Sequence, residues 1–195
     1  MMKTATKQLD CKCRILNKAM ELFYNQGYYQ TGINQIIAES DVSKATFYSH
    51  YPSKEDLALA YIQKQHTDAM AMIKEAINQH KQPKEKLLSF VNGLVDWMIA
   101  SKFRGCEFLN ITSEIIDPKH PIRKEVKYHM DAVRSILKDL FQDLVRSDPK
   151  YRHLDPEEMA DKYFIIFNGG IASTTEYYDI WPMKLAAKMI EELIH

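Results

Sequence analysis

Residues 31–57 read TGINQIIAESDVSKATFYSHYPSKEDL, and this stretch decides the fold. Ile33, Ile36 and Ile37 are spaced to fall on one face of a short helix. The segment turns at Ser40-Asp41, with Val42 plugging the gap behind the turn. Ser43 is a helix N-cap, and KATFYSHY after it is a second short helix, polar and aromatic, stopped by Pro52. Ser53 then opens a third helix, with Asp56 three residues on as its capping-box partner. Helices of two turns do not persist alone in water. They persist when one face is packed on neighbours, which leaves the other face free. That is how a helix-turn-helix presents side chains to a DNA groove.

Outward from this stretch the chain reads as helical throughout. Ile15, Ala19, Leu22 and Phe23 form a core-facing stripe on a helix from about Asp10 to Gln26, ended by Gly27. A long helix from Ser53 to about Gln79 is broken at Gln82-Pro83. Further helices are expected from about Lys84 to Ser101, Gly105 to Ile116, Ile122 to Arg146 and Asp155 to Tyr178, with a last one opened by Pro182. Asp155-Pro156-Glu157-Glu158 is a start signal, with Asp as N-cap and Pro at the first helical position.

The residues Ile15, Ala19, Leu22, Phe23, Gly27-Tyr28, Thr31, Ile36, Ala38, Val42, Ser43, Thr46, Phe47, Tyr48, Tyr51, Lys54 and Leu57 stand in one register. Residues 12–57 thereby resemble the N-terminal domain of the TetR/AcrR family of bacterial transcriptional regulators. The resemblance implies an all-α chain. Its parts would be a three-helix helix-turn-helix DNA-binding domain over residues 1–52 and a helical ligand-binding and dimerisation domain over residues 53–195. It also implies DNA contacts by Thr31, Ser43, Lys44, Ala45, Thr46, Tyr48, His50 and Lys54. Lys44 and Thr46 would face bases, while Tyr48, His50, Thr31 and Lys54 would hold phosphates. Two positions depart from the family pattern. Asp41 stands where Gly is usual, and Asp tolerates a left-handed backbone better than most residues. Ala45 also stands where Gly is frequent, and it adds a methyl that could meet a thymine methyl. In the second domain, Gly105-Cys106-Glu107-Phe108-Leu109-Asn110, Asp117-Pro118 and His120-Pro121-Ile122-Arg123 resemble a motif of one large subgroup.

The aromatic and methionine-rich helices carry two readings, core and cavity. The resemblance favours a cavity for a small amphipathic organic effector, lined by Trp97, Met98, Phe103, Cys106, Asn110, Glu114, His129, Tyr163 and Phe167. The plain alternative for the polar members is mutual pairing, for instance of Glu114 with His129. Arg104 is the kind of neighbour that activates a thiol, yet an inert Cys106 is the commoner case. Gly169-Gly170 inside a helix costs about 1 kcal/mol per glycine relative to alanine, so close helix approach is expected there. The resemblance puts that approach at a two-fold axis, with Ile166, Gly169, Gly170, Ser173, Tyr177 and Met189 as a homodimer interface.

Composition constrains the function without naming it. The 195 residues are 46% hydrophobic and 27% charged, with 26 basic and 26 acidic side chains. Residues 1–60 carry seven Lys and Arg against six Asp and Glu, so charge alone does not announce DNA. There is no leader-like N-terminus and no apolar run of membrane-spanning length. Three cysteines argue against a disulfide framework and for a reducing cytoplasm. Cys11 and Cys13 point to opposite sides of a helix, so no metal is expected, and nothing calls for a cofactor. The expected protein is a homodimeric repressor on a palindromic double-stranded DNA operator, released by an organic effector and free of membrane. An activator or a chromosome-binding factor of the same fold is the first alternative. A small helical enzyme or carrier is the second, weakened by the lack of a nucleophile–base pair or phosphate loop.

Overall fold

The computed structural model describes the backbone of residues 2–195, and side chains from residue 10 onward. Among these residues the chain forms nine α-helices. They are α1 (Met2–Gln26), α2 (Ile33–Glu39), α3 (Lys44–His50), α4 (Lys54–Asn78), α5 (Pro83–Ala100), α6 (Glu107–Glu114), α7 (Pro121–Ser147), α8 (Pro156–Tyr177) and α9 (Trp181–Leu193). A 3-10 turn, Pro149–Tyr151, precedes α8. No described helix is long and apolar enough to cross a membrane.

The helix ends follow their local chemistry. The Ser43 hydroxyl accepts from the Thr46 amide at 3.1 Å and starts α3. The Ser53–Asp56 box is reciprocal: the Asp56 amide donates to Ser53 Oγ at 3.0 Å, and that hydroxyl donates to Asp56 Oδ2 at 2.7 Å. Asp155 Oδ1 accepts from the amides of Glu157 and Glu158 and opens α8. Two boundaries differ from expectation. α1 begins at Met2 rather than about Asp10. α6 begins at Glu107 rather than Gly105, because Lys102, Phe103 and Gly105 all have positive φ (52°, 62° and 85°) and no helix passes through that turn.

The chain divides into two compact units. The first comprises the chain through Thr67 together with Glu107–Lys127, and the second comprises Asp68–Cys106 and Tyr128–His195. The reading head drawn over residues 1–52 is part of the first unit. Its core joins Ile15, Ala19, Leu22 and Phe23 of α1 to Ile36, Phe47, Tyr51, Leu57 and Tyr61, all buried. Phe23 packs against both Tyr28 and Tyr61, with ring centroids 5.6 Å apart in each case.

The second unit is built on α5, α8 and α9. Phe90 stacks on Tyr163 at 5.8 Å, and Phe141 and Phe167 meet Tyr163 edge-on. The buried Tyr163 hydroxyl donates to the Leu87 carbonyl at 2.8 Å, so its one polar atom is satisfied. α8 lies so close on α9 that a Cβ on Gly170 would sit 2.7 Å from Ala186 Cβ and 3.1 Å from Met183 Sδ. Gly170 therefore faces α9 of its own chain, which corrects the expectation of a two-fold contact there. A residue with a Cβ would push α9 away. Gly169, one position earlier, has open space around it.

Burial raises the pKa of the Glu107 carboxyl, the first helical residue of α6. A raised folded-state pKa gives stability that is complete below the unfolded value and lost as pH rises through the folded one. Glu107→Gln should therefore raise the melting temperature at neutral pH. That gain should fade as the pH falls from the raised folded-state value toward the ordinary glutamate range, and be gone below it. Thermal melts across pH check this, and a variant less stable than wild type at neutral pH would contradict it.

Candidate nucleic-acid interface

The turn between α2 and α3 closes by its own hydrogen bonds. The Ser40 hydroxyl donates to the Ile36 carbonyl at 2.7 Å, and the amide of Val42 reaches the Ile37 carbonyl at 3.4 Å. Asp41 takes φ 51°, the left-handed conformation expected of it. Its carboxylate lies 3.6 Å from Arg14 Nη1 on α1, an exposed pair that water and salt screen.

α3 is divided sharply into two faces. Phe47 points inward and is fully buried, with Tyr51 behind it. Lys44, Ala45, Tyr48 and Ser49 are exposed on the opposite face, and Ser43 and Thr46 stand at its edge with their hydroxyls 2.8 Å apart. Seven residues give α3 only two turns, so the buried Phe47 is what holds the exposed face in place.

Two of the expected DNA contacts are placed differently. The Thr31 side chain is fully buried, and its hydroxyl donates to the Gly27 carbonyl at 2.7 Å. It ties the α1–α2 turn and is not offered to a phosphate. His50 is half-buried with Nε2 enclosed and without a protein partner. Lys54 is half-buried as well. Its ammonium lies 4.5 Å from the centre of the Tyr28 ring and donates to the Tyr29 carbonyl at 3.4 Å. Desolvation lowers its pKa, and the nearby Glu114 carboxylate works in the opposite direction.

The residues expected around an effector separate in the structure. Tyr163 and Phe167 are ring-packed core of the second unit, and Met98 is fully buried. Trp97, Phe103, Cys106 and Asn110 are half-buried, and His129 is buried. Asn110 belongs to the first unit, and so does Glu114. Its two carboxylate oxygens accept from the amides of Tyr28 and Tyr29 at 2.9 and 2.7 Å, inside the first unit. Both oxygens are thus engaged by backbone amides of the turn after α1. An open cleft of the second unit runs between the later half of α4 and α5, lined by Met72, Ala76, His80, Leu88 and Asp96 among others. None of the residues expected for the effector lines it.

Comparison with known proteins decides what this arrangement belongs to. Residues 15–61 match the family model described as bacterial regulatory proteins, tetR family. Residues 83–190 match the model of the tetracyclin repressor-like C-terminal domain. The chain belongs to the TetR family.

The HTH-type transcriptional regulator YxaF of Bacillus subtilis is 26% identical over 196 residues, covering 97% of both chains. LmrA, an HTH-type transcriptional regulator of the same species, is 36% identical over 86 residues, 44% of this chain and 46% of LmrA. A TetR transcriptional regulator from Chloroflexus aurantiacus shares the fold with a TM-score of 0.83 at 23% identity, over 97% of this chain and 96% of that one. The protein is thus a transcriptional regulator of the TetR family, which is a non-enzymatic family. Its helix-turn-helix is a DNA-binding element.

Proposed function

We propose that this TetR-family regulator is a homodimeric repressor that reads a palindromic operator with α3 and leaves it when a small organic molecule binds. The observation that carries the DNA reading is the two-faced α3, with Phe47 locked inward and Lys44, Ala45 and Tyr48 turned out. Lys44 and Thr46 read bases, Ala45 packs its methyl against a thymine, and Tyr48 and Lys54 hold the backbone. Ser43 serves mainly as the cap that sets the angle of the helix.

Dimerisation uses the outer faces of α8 and α9, where Ile165, Tyr177, Trp181, Leu185 and Met189 are all exposed. Large apolar side chains gathered on two adjacent helices favour a partner surface. A two-fold dimer places two recognition helices about 34 Å apart, one turn of DNA. The effector site stays with Trp97, Phe103, Cys106 and His129 of the second unit, which combine aromatic area with a few polar groups. An effector that prefers a different spacing of the two heads lowers operator affinity by its differential affinity for the two states.

The test begins by mapping protected DNA beside the protein's own gene. On that operator Lys44→Ala and Thr46→Ala should each lose about 1–3 kcal/mol of binding. On a random duplex they should lose much less. Equal losses on both duplexes would refute base reading by these residues.

A further inference from the structure

Tyr28 and Tyr29, just after α1, are held from two sides by residues distant in sequence. Both of their amides donate to the Glu114 carboxylate, at 2.9 and 2.7 Å, across 86 and 85 residues of chain. The Tyr29 carbonyl and the Tyr28 ring meanwhile receive the Lys54 ammonium, at 3.4 Å and 4.5 Å. Gly27 completes the site. Its φ of +99° turns two successive amides toward one anion, and a Cβ there would lie 3.0 Å from Glu114 Oε1. The seat therefore needs glycine for its backbone angle and has little room for a larger residue. The same dipeptide thus joins an acid on α6 to a cation in the first turn of α4.

We infer that Glu114 is a positioning residue for DNA binding: it fixes the Tyr28-Tyr29 peptide and, through it, the phosphate-binding ammonium of Lys54. The inference rests on the DNA-contact role given to Lys54 above. Glu114 does not touch DNA in this scheme. It contributes a rigid peptide for Lys54 to lie on. It also contributes a negative charge that partly offsets the desolvation of the half-buried ammonium. With Glu114 removed, the turn loses two charge-assisted hydrogen bonds. Lys54 then has no fixed seat from which to meet a phosphate.

The alternative is a purely structural tie, and salt dependence separates the two. Each phosphate contact contributes about 0.9 to the slope of log affinity against log salt. Binding of a fixed random-sequence duplex is measured at several salt concentrations for wild type, Lys54→Ala, Glu114→Ala and the double variant. Lys54→Ala should flatten the slope by about 0.9. Glu114→Ala should flatten it equally, and the double variant no further. Amide hydrogen exchange at Tyr28 and Tyr29 should accelerate in Glu114→Ala with the remaining helices still protected. If Glu114→Ala fails to fold, Glu114→Gln carries the test. It keeps the shape and one acceptor oxygen, and should show the same flattening at smaller amplitude. A wild-type slope in the Glu114 variants overturns the inference, as does a double variant flatter than either single one. An unchanged slope in Lys54→Ala alone withdraws the phosphate role of Lys54 and the inference with it. A wild-type protein that binds no duplex at low salt overturns the DNA reading itself.

Discussion

Gly170→Leu should prevent the second unit from folding stably, whereas Gly169→Leu should leave it folded and dissociate the proposed dimer. The two glycines are neighbours on α8 yet stand about 100° apart around its axis. Gly170 faces α9, and a built Cβ already meets Ala186 Cβ at 2.7 Å and Met183 Sδ at 3.1 Å. The backbone of Met183 is 3.6 Å away, so rotating one side chain does not make room for leucine. The cost should reach or exceed the upper end of ordinary overpacking, about 3 kcal/mol. Gly169 meets nothing within 4 Å and lies on the exposed side with Ile165 and Ala172. Leucine there strains nothing within the subunit and obstructs close approach of a second copy. Thermal unfolding and sedimentation over a range of concentrations separate the cases. A wild-type melting temperature for Gly170→Leu would mean that α8 and α9 are not in intimate contact. A Gly169→Leu protein that stays dimeric when dilute would move the interface off this face.

Phe47→Ala should abolish binding to every duplex, operator or random, by unfolding the reading head and not by removing a contact. Phe47 is fully buried and touches the rings of Tyr48 and Tyr51, at 5.3 and 6.4 Å. Replacing a buried phenylalanine with alanine costs about 3–5 kcal/mol. A seven-residue helix has no internal stability with which to absorb that loss. Tyr48→Ala provides the contrast, because an exposed ring leaves the fold intact and weakens only DNA binding. Melting curves read beside DNA titrations make the distinction. A Phe47→Ala head that melts as wild type does would show that α3 is held by something else.

The parts legible in the sequence share a property: their signals are local. The Ser43 cap, the Ser53–Asp56 box and the Asp155-Pro156 start each lie within three or four residues, and the structure forms each of them. Asp41 in the left-handed region follows from intrinsic backbone preference and is found at φ 51°. The features that escaped depend on direction or distance. Nothing in the Asn168-Gly169-Gly170 pattern says which glycine faces a neighbouring helix, since that depends on where α9 lies. Thr31 was legible as a residue near the start of α2 but not as a buried hydroxyl bonded back to Gly27. Glu114 stood out as a polar residue in an apolar stretch that needs partners if buried. Its partners are two backbone amides, and backbone amides carry no mark in a sequence.

The Glu114 clamp also has a consequence for the order in which this protein becomes competent. A ribosome releases α1 to α4, with every residue of the helix-turn-helix, well before residue 114 emerges. Until then the amides of Tyr28 and Tyr29 have only water to bond, and Lys54 lies on an unanchored peptide. Local helices form in microseconds, but a contact spanning 86 residues waits for the chain itself. Nascent chains of the regulator thus carry complete reading helices on an unfinished base. By the inference above, such a nascent chain would grip DNA less firmly than a finished one.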